Sequence, residues 1–383
     1  LIQNRAKHSQ QHGKLTILAI LLLTFGVSST WAGTTANEFL RGADVSFLPA
    51  VETAGGVFRD DGQTGDALDI LRAHGLNTIR LRLWHTPSDR HDDLATTLAL
   101  AARAKTAGLN LLLDFHYSDT WADPSHQSPP VVWQGLPLAA LADSVRTYTH
   151  NTLVAFAAQG TAPAFVQLGN EITSGLLWPI GHVGGTDDTP TQWTQLAILL
   201  RAASDGVASA LPDALKPDII IHTDRGGDNA GARWLFDGLL AQGFDFDLIG
   251  VSYYPWWHGS LADLETNLHD LARRYGKEIV VVETGYPWSV KWSAKWSDNT
   301  NNIIGSGTPL LPGFAATPAG QRDFLAALFK IVHSVPQGRG RGVFWWAPTW
   351  IAAPRLGSAW ENVALFNEKG ESLPALEVFR AGP

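Results

Sequence analysis

The sequence predicts an α/β protein, a (β/α)8 TIM barrel forming a single domain behind an N-terminal signal peptide, and three observations predict it. Eight short, β-rich apolar runs alternate with longer stretches of helical periodicity. Several of those helical stretches stop at a glycine just ahead of the next apolar run, as helix C-termini do. No G-x-G-x-x-G loop follows the first run, which favours a closed barrel over a doubly wound open sheet.

In chain order the predicted strands are Ala43–Phe47 (ADVSF), Thr78–Trp84 (TIRLRLW), Leu109–Phe115 (LNLLLDF) and Ala164–Gly169 (AFVQLG). The second half supplies Asp218–His222 (DIIIH), Asp247–Ser252 (DLIGVS), Glu278–Glu283 (EIVVVE) and Gly342–Ala347 (GVFWWA). Helical periodicity covers residues 64–75, 93–108, 138–160, 189–209, 232–243, 261–276 and 317–335. Strand-then-helix units joined by right-handed crossovers close naturally into a barrel. The longest irregular piece, Tyr286–Phe314, follows the seventh strand, and loops of that length commonly carry function.

Composition narrows the function. The chain has 383 residues, 45% of them hydrophobic and 17% charged, enough for one large core. Its net charge is −8 and its 28 Lys and Arg residues are scattered, so nucleic acid is not an expected partner. Sixteen Trp residues hint at carbohydrate, because an indole face stacks well on the C–H face of a sugar, although large cores also use Trp. The absence of Cys excludes disulfides, a thiol nucleophile and zinc–thiolate sites.

The first residues read as an address. Arg5, Lys7 and Lys14 precede the apolar run Leu15–Val27, followed by small residues and STWAG. Thirteen apolar residues are too few to span a bilayer comfortably, so residues 1–32 are expected to be a cleaved signal and residues 33–383 the barrel. A secreted, periplasmic or extracellular monomer with no membrane partner is the expectation.

In a barrel the reactive residues stand at the C-terminal ends of the strands. Those ends carry Asp44; Arg80 and Arg82, two apart and so on one side, with Trp84 and His85; Asp114, His116 and Asp119; Asn170 and Glu171; His222 and Asp224; Tyr253 and Tyr254; Glu283; and Trp345 and Trp346. Glu171 and Glu283 each follow an uninterrupted apolar strand, where a glutamate without partners is costly to bury. Two carboxyls about 5 to 5.5 Å apart are what retaining glycoside hydrolysis needs, one as nucleophile and one as acid/base. The nucleophile must stay ionised, which Arg80 or Arg82 and a Tyr hydroxyl favour; the acid must keep its proton, which burial and a neighbouring anion favour.

His116 and Tyr254 are candidates for fixing orientation, and Asn170 for holding a sugar hydroxyl. Asp44, Trp84, Trp288 and Trp346 complete the expected substrate site. Trp256, Trp257 and Trp345 are divided between core and sugar platform. Spacing leaves Arg80 open against Arg82, and Tyr254 against Tyr253. His85, His222 and Asp224 read as polar groups of the loops. Asp114 and His116 give only two metal ligands, without a third.

These residues carry a family likeness. RGADVSFLPAVE, NTIRLRLW, LLLDFHYSDTWADPSHQ, QLGNEITSGLLWP, GVSYYPWWHG and VVETGYPW, in that order, closely resemble the arabinogalactan endo-β-1,4-galactanases, glycoside hydrolase family 53, from about Phe39 to Phe379. The resemblance implies endo-hydrolysis of β-1,4-galactan in pectin side chains and type I arabinogalactan with retention, Glu171 of GNE being the acid/base and Glu283 of VVETGYPW the nucleophile. Some bacterial members hold a structural calcium ion in the long loops. Here Asp298, Asn299, Asn301 and Asn302 stand without a D-x-D-x-D-G ligand ladder, and neither metal nor cofactor is expected.

Overall fold

The computed structural model describes residues 38–291, 303–354 and 356–382. The leader expected over residues 1–32, and the residues Asp298, Asn299, Asn301 and Asn302, lie outside the described residues. Eight parallel strands close into a barrel: β1 (Leu40–Asp44), β2 (Thr78–Leu83), β3 (Asn110–Phe115), β4 (Phe165–Leu168), β5 (Asp218–Thr223), β6 (Leu248–Tyr253), β7 (Glu278–Thr284) and β8 (Gly340–Trp346). β1 pairs with β2 on one side and with β8 on the other, which leaves no open edge.

Around the barrel run α1 (Ala67–Ala73), α2 (Leu94–Thr106), α3 (Leu138–Ala158), α4 (Pro190–Ala210), α5 (Asn229–Ala241), α6 (Leu261–Tyr275), α7 (Pro318–His333) and α8 (Leu376–Ala381). Their starts follow side-chain chemistry. Asp66 and Asp93 accept from the backbone N–H groups of Leu68 and Thr96, and Ser260 with Asp263 forms a capping box on α6. Each such cap contributes about 1 kcal/mol by satisfying an otherwise orphaned donor. α6 ends at Gly276, whose left-handed backbone (φ 64°) suits a residue without a Cβ.

The barrel floor is apolar. Leu40, Leu112, Phe165, Ile220, Leu248, Val280, Val282 and Phe344 point inward and pack together. The Phe344 ring fits because β1 has glycine opposite; a Cβ on Gly42 would lie 2.2 Å from it. Two residues further along the strands the same inward face turns polar: Asp114 follows Leu112, Gln167 follows Phe165 and His222 follows Ile220, all fully buried. The change from apolar to polar along one face sets the site at the C-terminal mouth.

Three features differ from the sequence reading. The first strand lies at Leu40–Asp44 and not Ala43–Phe47, because Leu40 is the core residue and the Asp44 carboxylate caps the turn by accepting from Ser46 N at 3.0 Å. Phe47 then opens a short helix, Leu48–Thr53, with Pro49 in its first turn. The eighth helix, α8, has too short a periodic stretch to stand out in sequence.

Candidate active site

Arg80 organises the mouth. Projecting from β2, it is 1% exposed and reaches four strands. Nη1 donates to Asp44 Oδ2 at 2.8 Å; Nη2 lies 2.8 Å from Asp114 Oδ2, 2.8 Å from Asn170 Oδ1 and 3.0 Å from Glu283 Oε1. Burial opposes the charge, yet Asp114, Glu283 and Asp44 outweigh it and hold the guanidinium pKa above its ordinary value. A cation shared among three carboxylates makes this burial tolerable, where any one of the acids alone would be strongly destabilising.

A register shift aims Glu283. On β7, Val280 and Val282 both point into the core, so strict alternation would turn Glu283 toward the helices. The pairing with β6 instead slips between Val251 and Ser252, so that Ser252 faces Glu283, and this bulge turns the carboxyl into the mouth. There Oε2 accepts from Tyr254 Oη at 3.0 Å while Oε1 meets Arg80. Burial pushes Glu283 up to about 7; Asp44 and Asp114 add to the rise, and Arg80 and the Tyr254 hydroxyl oppose it.

Glu171 is presented differently. β4 ends at Leu168, Gly169 turns at φ 87°, and Glu171 itself adopts the left-handed conformation at φ 47°. For a residue with a Cβ that conformation costs about 1 kcal/mol, so the surroundings must hold it. They do so through the Glu171 backbone N–H, which donates to His222 Nδ1 at 3.2 Å, and through Ser252 Oγ, which donates to Oε1 at 2.7 Å. Among the described residues no arginine forms an ion pair with this carboxyl. Burial, then the Glu283 charge, raise its pKa well above the ordinary range, and Asp224 adds to them.

The two carboxyls line one cleft of about 350 Å³ with Arg80, Arg82, His116, Asn170 and Tyr254, under walls that include Trp121, Trp257, Trp346, Trp350 and Trp360. Beyond Glu171 the groove continues into a second hollow of about 590 Å³, bordered by Asp123, Asp224, Arg225, Asp228, Trp257 and His258. The two hollows share Asp123, Glu171 and Trp257, so the groove runs past Glu171.

The remaining expected residues fall into separate places. Arg82 lies at the cleft wall, its charge held by Asp92 Oδ2 at 2.7 Å and stacked 4.1 Å above the Trp121 ring. His116 faces the cleft but both ring nitrogens are engaged by protein: Nδ1 accepts from Trp84 Nε1 and Ala122 N, each at 3.1 Å, and Nε2 meets Asp114 at 3.0 Å. Trp84 is therefore a buried brace for His116. Asp44 serves Arg80. Trp288 donates its indole N–H to Glu361 O at 3.1 Å and is not among the described cleft-lining residues. Tyr253 turns away to Gly259 O at 2.9 Å, while Tyr254 reaches Glu283.

Several residues at the site escaped the sequence reading. Trp121, Trp350 and Trp360 sit in loops, where no periodicity flags them. Gln167, Ser252 and His222 were legible in principle, because each shares the inward face of a strand with a core residue two or four positions earlier. Among the described residues no three His, Asp or Glu side chains converge to hold a metal ion.

A (β/α)8 barrel that brings two unlike carboxyls together in a tryptophan-walled groove is built for glycosidic bonds, and the class that fold and site define is glycoside hydrolase. Known proteins make the class particular. The profile of glycosyl hydrolase family 53 matches residues 40–379, and the chain belongs to that family. The arabinogalactan endo-β-1,4-galactanase of Thermothelomyces thermophilus is 37% identical over 347 residues, covering 89% of this chain and 98% of that protein. The Ignisphaera aggregans GH53 catalytic domain superposes with a TM-score of 0.82 at 37% identity, covering 91% of this chain and 97% of that one. A Cellvibrio japonicus xylanase, at 16% identity and a TM-score of 0.55 over 89% of this chain and 98% of its own, shares the fold alone.

Proposed function

We propose that the protein is a secreted endo-β-1,4-galactanase that cleaves galactan and type I arabinogalactan with retention, by double displacement. The observation that carries the mechanism is the inequality of the pair: Glu283 is held by Arg80 and Tyr254, whereas among the described residues the Glu171 carboxyl is held by the Ser252 hydroxyl alone. Glu283 is thus the carboxyl that ionises first, and Glu171 the one that keeps a proton.

In the first step a Glu283 oxygen attacks C1 of the galactosyl unit. The bond from C1 to the glycosidic oxygen breaks, and Glu171 passes its proton to that oxygen. In the second step Glu171, now a carboxylate, takes a proton from water as the water oxygen attacks C1 and the bond to Glu283 breaks, with net retention. Asn170, whose amide donates one N–H to Ala122 O at 2.8 Å, has a second N–H for a sugar hydroxyl at the reacting unit. Arg82, pinned to Asp92, supports the Trp121 platform. The galactan preference and endo action rest on the relatives' activity, and a groove that continues past Glu171 into a second hollow supports endo action.

Product analysis on β-1,4-galactan tests the reading. Internal cleavage should release oligosaccharides of mixed length early in digestion. Release of galactose alone would overturn endo action, and turnover of xylan or mannan but not galactan would overturn the substrate. Secretion rests on the leader read in residues 1–32, and N-terminal sequencing of exported protein checks it: a mature end near Gly33 is expected, and an intact leader would contradict it.

A further inference from the structure

Beneath Glu171 lies a polar pair that the reaction as described does not use. His222 on β5 and Ser252 on β6 are both fully buried, and the direction of the hydrogens between them follows from their partners. Gln167 is oriented by Arg80, which donates to its Oε1, and by Asp114 Oδ1, which accepts from its Nε2 at 2.6 Å. His222 Nδ1 therefore faces two donors, Gln167 Nε2 at 3.1 Å and the Glu171 backbone N–H at 3.2 Å, beside one acceptor, Asn170 Oδ1 at 3.1 Å, which is already engaged by Arg80 Nη2 at 2.8 Å. A backbone amide can only donate, so Nδ1 is the acceptor and the ring proton belongs on Nε2. Nε2 is 2.9 Å from Ser252 Oγ, which accepts that proton and directs its own at Glu171 Oε1, 2.7 Å away.

We propose that His222 and Ser252 are positioning residues that reserve Glu171 Oε1 as a hydrogen-bond acceptor and so place the catalytic proton on Oε2, the oxygen that none of the described residues engages, for the glycosidic bond. The inference rests on Glu171 being the proton donor. In the bond-breaking step the Oε2–H bond breaks as the hydrogen joins the leaving oxygen, and the new carboxylate charge is met at Oε1 by the Ser252 hydroxyl. When Glu171 later takes a proton from water, the same hydroxyl keeps Oε1 occupied, so the proton returns to Oε2. His222 fits this part because burial, followed by the nearby Arg80 charge, keeps its pKa well below the ordinary value. A neutral ring has one donor and one acceptor, as the relay requires.

The charged and titratable groups facing Glu171 or sharing its two hollows are His222, Asp224, Arg225 and Asp228 at and beyond the end of β5, Tyr254 and His258 beyond β6, Glu283 on β7, Arg80 and Arg82 on β2, and His116 and Asp123 beyond β3. All of these remain in a Ser252→Ala variant, so a change in the pH profile reports the lost hydroxyl. That hydroxyl favours the ionised form of Glu171, and removing it raises the Glu171 pKa. The alkaline limb of kcat/KM should move to higher pH by about half a pH unit or more. Turnover of galactan should fall about tenfold, a part of what general acid catalysis supplies. A good aryl leaving group, which needs no proton, should lose much less in the first step. Ser252→Thr, which restores a hydroxyl, should recover the pH profile, and His222→Phe, which cannot orient Ser252, should behave as Ser252→Ala does.

An unmoved alkaline limb in a folded Ser252→Ala protein, or equal loss on aryl and polysaccharide substrates, would overturn the relay. Glu171→Ala separates this from failure of the underlying reading. If that variant also loses equally on both substrates, Glu171 is not the acid; if it spares only the aryl substrate while Ser252→Ala changes nothing, the relay alone is wrong.

Discussion

Arg80 Nη2 stands 3.0 Å from Glu283 Oε1, and the same guanidinium closes ion pairs to Asp44 and Asp114. Fold and electrostatics meet in this contact, since the cation that makes three buried acids tolerable also favours the ionised form of Glu283. Removing it leaves those acids uncompensated. Arg80→Ala should destabilise the protein by about 3 kcal/mol or more and reduce kcat/KM by at least about a hundredfold. Thermal unfolding and steady-state kinetics on galactan check both, and the milder Arg80→Lys, which keeps a charge but not the planar fork, should retain more stability than activity.

The hydroxyl of Tyr254 lies 3.0 Å from Glu283 Oε2 and stabilises its charged form. Tyr254→Phe should move the acid limb of kcat/KM upward, because that limb follows ionisation of Glu283, and should lower kcat by about tenfold or more. An acid limb that stays in place would show that another group controls it.

Burial, then the Glu283 charge, raise the pKa of Glu171, and the stability consequence has a definite sign. Its folded pKa lies above the unfolded value of about 4.3, so the folded state binds the proton more tightly. The associated stability is present below the unfolded pKa and is lost as pH rises through the folded one. Glu171→Gln, which never ionises, should therefore match wild type in thermal stability near pH 4 and exceed it at pH 8 while losing activity on galactan. Equal differences at the two pH values would contradict the placement.

Trp346 shares the cleft with both glutamates and packs edge-on to Trp360, with ring centroids 4.8 Å apart. As a sugar platform it should act mainly on binding. Trp346→Ala is expected to raise KM for galactan about tenfold with kcat within about threefold of wild type.

Much of this arrangement was legible in sequence, and the parts that were not share a cause. Eight strands were legible as apolar runs, the first displaced by three residues, and Glu171 and Glu283 stand out because each comes at the end of one. Choosing Arg80 over Arg82 needed three dimensions: both lie on the same side of β2, but only Arg80 faces Asp44, Asp114 and Glu283 across the barrel, while Arg82 meets Asp92 ten residues along its own chain. Tyr254 and Tyr253 separate only where β6 ends. Glu283 points into the mouth because of a register slip that no alternation rule contains. His222 was read as a loop residue, although its spacing from Ile220 places it on the inward face. Loop aromatics such as Trp121 and Trp350 follow no period, so only the fold brings them to the cleft.

Azide rescue of Glu283→Ala on an aryl β-galactobioside tests the double displacement most directly. Without the nucleophile, hydrolysis should be nearly abolished, and azide entering from the vacated face should restore turnover and give the α-glycosyl azide, with inversion at C1. Near wild-type hydrolysis by Glu283→Ala, or rescue that yields the β-glycosyl azide, would contradict the assignment of Glu283 as the attacking carboxylate.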